Sequence, residues 1–287
     1  MSGLKAGTFA LMFAPAIWLI QQSTTGQFGP VPVGGLVYWS GVWATALLLL
    51  ALAITPASAM LHWSGLLDVR RMIGVTALLY TVAHIVVYFA LRFWDFAHIA
   101  HEMATRLTLV VATISTIGLI ALGATSVDAA VGRLGVKGWQ RLHATVYLLT
   151  GLALLHYLLS RGTYPEQYLL SGMFFWLMVW RVLNRSGRGT DAKVLAMLAV
   201  VSCLFTLLLE VGWLWAYRGY PPARTLGNSF TLVLGVPPAW QILALGLLIA
   251  VVAGLRHSPR RAAAGRDMHK TRSSVPASHA DLGPAPR

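Results

Sequence analysis

The chain predicts an all-α fold, a polytopic membrane helical bundle, and three observations carry that expectation. Only 11% of its 287 residues are charged and 57% are hydrophobic, whereas a soluble domain is about 25% charged. The apolar residues gather into eight long blocks separated by short polar stretches, as bilayer spans do. Lys and Arg fall mainly into alternate connections, the pattern of a multi-pass inner-membrane protein.

The blocks cover about 7–22, 36–60, 72–93, 107–126, 142–160, 166–183, 193–216 and 229–255. The first holds a short apolar run from Thr8 to Ile20 behind Lys5. No small-x-small cleavage site follows it, so it reads as a span rather than a leader. Residues 23–35, with Gly26, Gly29, Pro30, Pro32, Gly34 and Gly35, read as an external loop. The second and third blocks flank His62 and the Arg70–Arg71 pair. Phe93–Arg106 then forms an external segment with Asp95, His98, His101 and Glu102, whose histidines read as surface residues. The fourth and fifth flank Arg133, Lys137 and Arg141, and the sixth is short. The seventh contains Cys203 and Glu210, the latter close enough to its outer end for the carboxyl to reach the interface. Residues 256–287, rich in Arg, Ala, Pro and Ser, read as a disordered basic cytoplasmic tail drawn to the membrane surface, with His257, His269 and His279 solvated.

Sidedness follows from the cations. Lys5, Arg70, Arg71, Arg133, Lys137, Arg141, Arg181, Arg185, Arg188, Lys193 and the seven tail positions share one side, 17 of the 22 Lys and Arg. With eight spans, both termini are therefore expected in the cytoplasm. The net charge of +13 has no aromatic-interleaved basic surface behind it, so nucleic acid is not an expected partner. One cysteine makes no intrachain disulfide, and no C-x-x-C-H is present. There is no Gly-rich phosphate loop and no room for a soluble nucleotide domain.

Ionisable side chains at membrane depth default to a functional reading. His84 lies roughly 18 Å into the third span and His156 roughly 21 Å into the fifth, counted at the helical rise. Those two spans run in the same direction, so the imidazoles lie level. Level histidines on two helices can hold one porphyrin between them, and neutral imidazole is a good iron ligand. Without a covalent attachment motif, such a heme is held by axial ligands and packing alone. His143 opens the fifth span roughly 20 Å before His156 and about 140° around an ideal helix, so both face one partner only if the span bends, for example near Gly151, or if they serve different flanks. Tyr88, Tyr147 and Tyr157 could line a heme or quinone pocket or simply pack. Arg70, Arg71 and Arg141 could neutralise heme propionates or serve as interfacial anchors.

From about Gly41 to Asn184 the chain resembles the ferric-reductase-like transmembrane family, and within it the heme-binding subunits of periplasmic methionine-sulfoxide reductase systems. The resemblance rests on Ala53-Ile54-Thr55-Pro56, on Arg70-Arg71-Met72-Ile73-Gly74 followed by His84, and on Ala124-Thr125-Ser126. It rests most on Arg133-Leu134-Gly135-Val136-Lys137-Gly138-Trp139-Gln140-Arg141-Leu142-His143 followed by His156-Tyr157. It implies a six-helix heme b core, from which this chain departs by two further C-terminal transmembrane helices and a basic tail. The divisions are then 1–35 for the first helix and external loop, 36–184 for the heme-binding core, 185–255 for the additional helices and 256–287 for the tail. It also implies that His84 and His156 ligate an external-side heme and that His143 belongs to a cytoplasmic-side heme. In the similar NADPH oxidases a histidine occupies the place of Arg70, so any inner heme here takes an unusual second ligand or is absent. An oxidase-like register would instead pair His84 with His143 and His98 with His156.

The function so implied is transmembrane electron transfer. Electrons would come from a cytoplasmic flavin reductase or a membrane quinol, by way of heme, FMN or quinone near His143, and leave to a periplasmic redox partner such as a molybdenum-containing reductase. The rivals are a stand-alone membrane ferric reductase or quinol-linked cytochrome b, and a heme-free transporter or scaffold. Ligation by two histidines leaves no open iron position, which favours electron transfer over oxygen chemistry, with substrate chemistry on a partner.

Overall fold

In the computed structural model the described residues are 3–160, 162, 164–232 and 235–273, with side chains described as far as Arg256. Among them every regular element is helical. The first span is two helices, α1 (Gly3–Leu11) and α2 (Ala14–Thr24), with Pro15 in the first turn of the second. Pro32, at a position where its missing N–H costs nothing, opens the long α3 (Pro32–Leu61). His62 ends it in the left-handed conformation, and the Trp63 N–H reaches back to the Ser58 carbonyl. A short 3₁₀ turn (Ser64–Leu66) leads into α4 (Leu67–Leu91), which stops where Phe93 and Trp94 both take positive φ. The carboxylate of Asp95 then caps the short α5 (Phe96–Thr105) by accepting from the His98 N–H.

The chain returns through α6 (Leu107–Ala124) and climbs again as α7 (Asp128–Ala144) and α8 (Val146–Leu159). In the fifth span α7 and α8 meet at Thr145, itself in the right-handed helical region, and the departure from helical geometry is at Gly135, with a φ of 68°, rather than near Gly151. Then follow α9 (Pro165–Arg185), α10 (Ala192–Arg218), the short α11 (Pro222–Asn228) and α12 (Pro238–Ser273). The last span starts at Pro238 rather than at 229, because the Pro237–Pro238 pair sets the helix start and α11 takes up part of the preceding segment. Helix α12 also continues beyond Arg256, as far as Ser273, into the stretch read as a disordered tail, where Ala and Arg are good helix formers. The expectation for His257, His269 and His279 falls on side chains outside the described residues.

Seven helical stretches among the described residues are long and apolar enough to cross a membrane. The protein is a multi-pass membrane protein. The sixth block, α9, carries Glu166, Gln167, Arg181 and Arg185 and is less apolar, yet it lies beside α3 in the same direction. Tyr38 of α3 bonds Glu166 near the start of α9, and Arg181 bonds the Leu52 carbonyl further along both helices. The two ties are about 21 Å apart along α3 at the helical rise, so α9 crosses most of the same thickness. Lys5 pairs with Asp68 at 3.5 Å, and Arg256 donates to the Leu61 carbonyl at 3.1 Å. The start of the first helix and the described end of the last side chains therefore meet at one corner, on one face of the bundle.

Helix α3 is the hub, with Leu49, Leu52 and Ser40 almost fully buried. Its Pro56 has no N–H to give the Leu52 carbonyl, and an orphan carbonyl inside a bilayer is costly. Arg181 repairs that gap. One of its guanidinium nitrogens donates to Leu52 at 2.8 Å, another caps its own Leu177 carbonyl, and the group sits 4.8 Å over the Tyr147 ring.

Candidate functional site

Helices α4 and α8 bring His84 and His156 together, edge to face. Their ring centroids lie 6.4 Å apart with planes at 75°. Each ring is oriented from behind. His84 Nδ1 donates to the Val37 carbonyl at 2.8 Å, with the Ser40 hydroxyl at 3.2 Å, and His156 Nδ1 donates to the Thr108 carbonyl at 2.9 Å. A proton on Nδ1 leaves the Nε2 lone pair as the free donor, which is the arrangement found behind metal-bound histidines. Gly41 makes room for the His84 ring, since a Cβ at that position would lie 3.0 Å from Cε1 and 3.1 Å from Nδ1.

Both histidines line a cavity of about 650 Å³. Its walls are small or apolar, including Ala44, Leu48, Ile85, Ala112, Leu119 and Ala153. A simple distance test compares this cleft with a ligated metal. Metal–imidazole bonds are about 2 Å, and a five-membered ring with bonds of about 1.35 Å places its nitrogen about 1.15 Å from the centroid. Opposed axial imidazoles thus have centroids about 6.3 Å apart on those values. The observed separation is of that length, and two neutral imidazoles in an apolar cavity are a donor set that fits a heme.

Among the described residues, the Lys, Arg, Asp and Glu side chains that line this cavity are Arg92 and Arg106. Glu102 on α5 holds them, pairing with Arg92 at 3.0 Å and at closer range with Arg106, while the Tyr88 hydroxyl donates to its other oxygen at 2.7 Å. Burial pushes the Glu102 pKa up, but the Tyr88 hydrogen bond and the two guanidinium groups outweigh it and hold the carboxyl below its usual range. A second polar chain leaves the cavity along α9: the Tyr157 hydroxyl donates to Tyr38 at 2.9 Å, and Tyr38 donates to Glu166 at 2.8 Å.

The other sequence candidates lie elsewhere. His143, on α7, stacks on Trp139 at 4.0 Å, and its Nε2 lies 3.2 Å from the Thr125 hydroxyl. It is outside the lining of the large cavity, with Arg70 and Arg71 within electrostatic reach. Arg71 pairs with Asp128 at 2.7 Å. His98 faces Glu102 at 3.6 Å on α5, so the oxidase-like pairing of His98 with His156 is not what the geometry brings together. Tyr88 and Tyr157 line the cavity, whereas Tyr147 packs under Arg181. Glu210 is half-buried on α10, with one carboxylate oxygen lacking a partner among the described residues. Sequence reasoning missed Gly41, Tyr38, Thr108, Glu102 and the Arg92–Arg106 pair as parts of the site. The two arginines were visible as external-side cations, but their meeting across α5 was not.

Residues 40–154 match the family described as the ferric reductase like transmembrane component, a stretch that contains both His84 and His143. The heme-binding subunit MsrQ of protein-methionine-sulfoxide reductase from Caulobacter vibrioides is 34% identical over 63% of this chain and 86% of the relative. The chain belongs to the MsrQ family. MsrQ of Polaromonas naphthalenivorans is likewise 34% identical, over 61% of this chain and 82% of its own. MsrQ of Ralstonia nicotianae, at 27% identity, aligns over 81% of this chain and 94% of its own. The magnetosome protein MamZ of Paramagnetospirillum magneticum is 30% identical over 54% of this chain, but that covers only 25% of MamZ. No solved structure matches.

Proposed function

We propose that this MsrQ-family chain is a membrane electron-transfer subunit that binds heme b between His84 and His156. The single observation that carries the reading is the 6.4 Å separation of two rings whose Nδ1 atoms are already committed to backbone carbonyls. His84 and His156 would hold the iron, and Arg92 and Arg106 would face the propionate carboxylates, which need cations in an otherwise apolar cavity. When bound, a heme supplies reversible one-electron transfer.

The protein does the rest. With a heme bound, His84 and His156 would be its two protein ligands, a set that favours electron transfer over oxygen chemistry. The apolar wall excludes water, and Glu102 keeps two cations at the external end without leaving them unpaired. The excess of Lys and Arg on the face that holds Lys5, Arg70, Arg71 and Arg256 assigns that face to the cytoplasm of a bacterial inner membrane, with both termini there. The His84–His156 cavity then lies toward the periplasm. Electrons would come from a cytoplasmic flavin reductase or a membrane quinol, and His143 and Arg70 would be the residues nearest their entry. They leave to a periplasmic acceptor, for which the relatives' name suggests a methionine-sulfoxide reductase, with the substrate chemistry on that partner.

The test is a reduced-minus-oxidised spectrum of detergent-purified protein made with ample heme, followed by addition of candidate donors and acceptors. A b-type spectrum that is bleached by a periplasmic acceptor is expected. Direct reoxidation by ferric iron, with no partner needed, would favour a stand-alone reductase. A colourless preparation would favour a heme-free transporter or scaffold.

A further inference from the structure

Helix α8 ends at Leu159, one turn after His156, and a helix end leaves its last carbonyls without intrahelical partners. Ser160 N–H satisfies the His156 and Tyr157 carbonyls, but those of Leu158, Leu159, Ser160 and Gly162 need donors from outside. Thr108 Oγ1 reaches Leu159 at 3.4 Å. The remaining three are met from α10: Trp213 Nε1 donates to Leu158 at 3.1 Å, and Arg218 Nη2 donates to Ser160 at 2.8 Å and Gly162 at 3.2 Å. Arg218 is held in place because α10 ends there, with Gly219 left-handed and the Tyr220 N–H closing back on the Leu214 carbonyl. A cation at this point also complements the negative end of α8. The carbonyls it gathers belong to the rim of the large cavity, which Leu159, Ser160, Gly162 and Tyr164 line.

We infer that Arg218, seconded by Trp213, is a positioning residue for the cofactor site: the C-terminal helix α10 caps α8 in trans and thereby fixes the height of His156 and closes the rim of the cavity. This rests on the heme reading above. It gives the additional helices a role in cofactor retention.

The experiment follows heme release from the purified, heme-loaded full chain to excess apomyoglobin, together with the low-spin ferric resonance signature. Arg218→Ala is expected to release heme about tenfold faster, the scale of losing hydrogen bonds from a charged group, and to broaden or shift the ferric signature. Arg218→Lys, which restores a cation, is expected to recover part of both. Arg224→Ala, on the exposed face of α11, is expected to match wild type. If Arg218→Ala does not accumulate folded, Trp213→Phe removes one donor and is expected to move the same readouts by a smaller factor. Wild-type release and signature in whichever of these two variants is measured, or equal acceleration by Arg224→Ala, would overturn the assignment. A colourless wild type would sink the heme reading and this one with it, whereas a coloured wild type with an indifferent Arg218→Ala sinks only this one.

Discussion

At position 41 the lack of a side chain leaves His84 the space to turn its Nδ1 to the Val37 carbonyl and its Nε2 to the cavity. Gly41→Ala would set a methyl 3.0 Å from the ring, so the ring or α3 must give by a few tenths of an ångström. Overpacking of that kind costs about 1–3 kcal/mol. The expected result is a lower melting temperature and weaker heme retention, read by thermal unfolding and by heme content, and wild-type values for both would show that the cleft has slack. Glu102 supports a pH prediction. Its folded-state pKa is depressed, so its ionised form stabilises the tie between α5 and the two arginines above the unfolded carboxylate pKa, and that contribution is lost as pH falls through the folded value. Hydrogen exchange in residues 96–105 should therefore quicken on acidification in the wild type, after correction for intrinsic rates. In Glu102→Gln it should start faster and show little further acid response.

Among the elements, the clearest test of how the bundle is joined is the bond from Arg181 to the carbonyl that Pro56 leaves orphaned. Arg181→Met should destabilise the protein by about 2 kcal/mol, the usual range for a hydrogen bond to a charged group. Pro56→Ala in the same chain should recover part of that loss by restoring the internal helix bond. A double-mutant cycle in mild denaturant reads the coupling, and strict additivity would contradict the repair. Pairs of this sort were not legible in the sequence, because Pro56 and Arg181 have no periodic relation and meet only once α9 lies beside α3. The helices themselves were legible wherever a hydrophobic block of bilayer length had cations or turn residues at its ends. A bend near Gly151 was one of two ways to let His143 and His156 face one partner. The non-helical residue of this span is Gly135 instead, while Thr145 keeps right-handed helical angles and its hydroxyl bonds the Leu142 carbonyl.

For the whole molecule, hydropathy and cation placement carried the architecture. Depth counting alone put His84 and His156 level, and the structure brings them together. The second shell around them stayed hidden, since Val37 and Thr108 contribute carbonyls that any residue would supply, and Glu102 reaches Arg92 and Arg106 only through the fold of α5. The common corner that holds Lys5 and Arg256 predicts that reporter domains fused at the two ends report the same compartment, which the cation excess makes the cytoplasm, and opposite compartments would contradict an even number of spans. The most direct single measurement is heme bound per chain in purified wild type beside His84→Ala and His156→Ala, with folding checked by size exclusion. Either replacement should remove at least one heme from the folded chain. If both variants keep the wild-type complement, the iron is not held between these two helices.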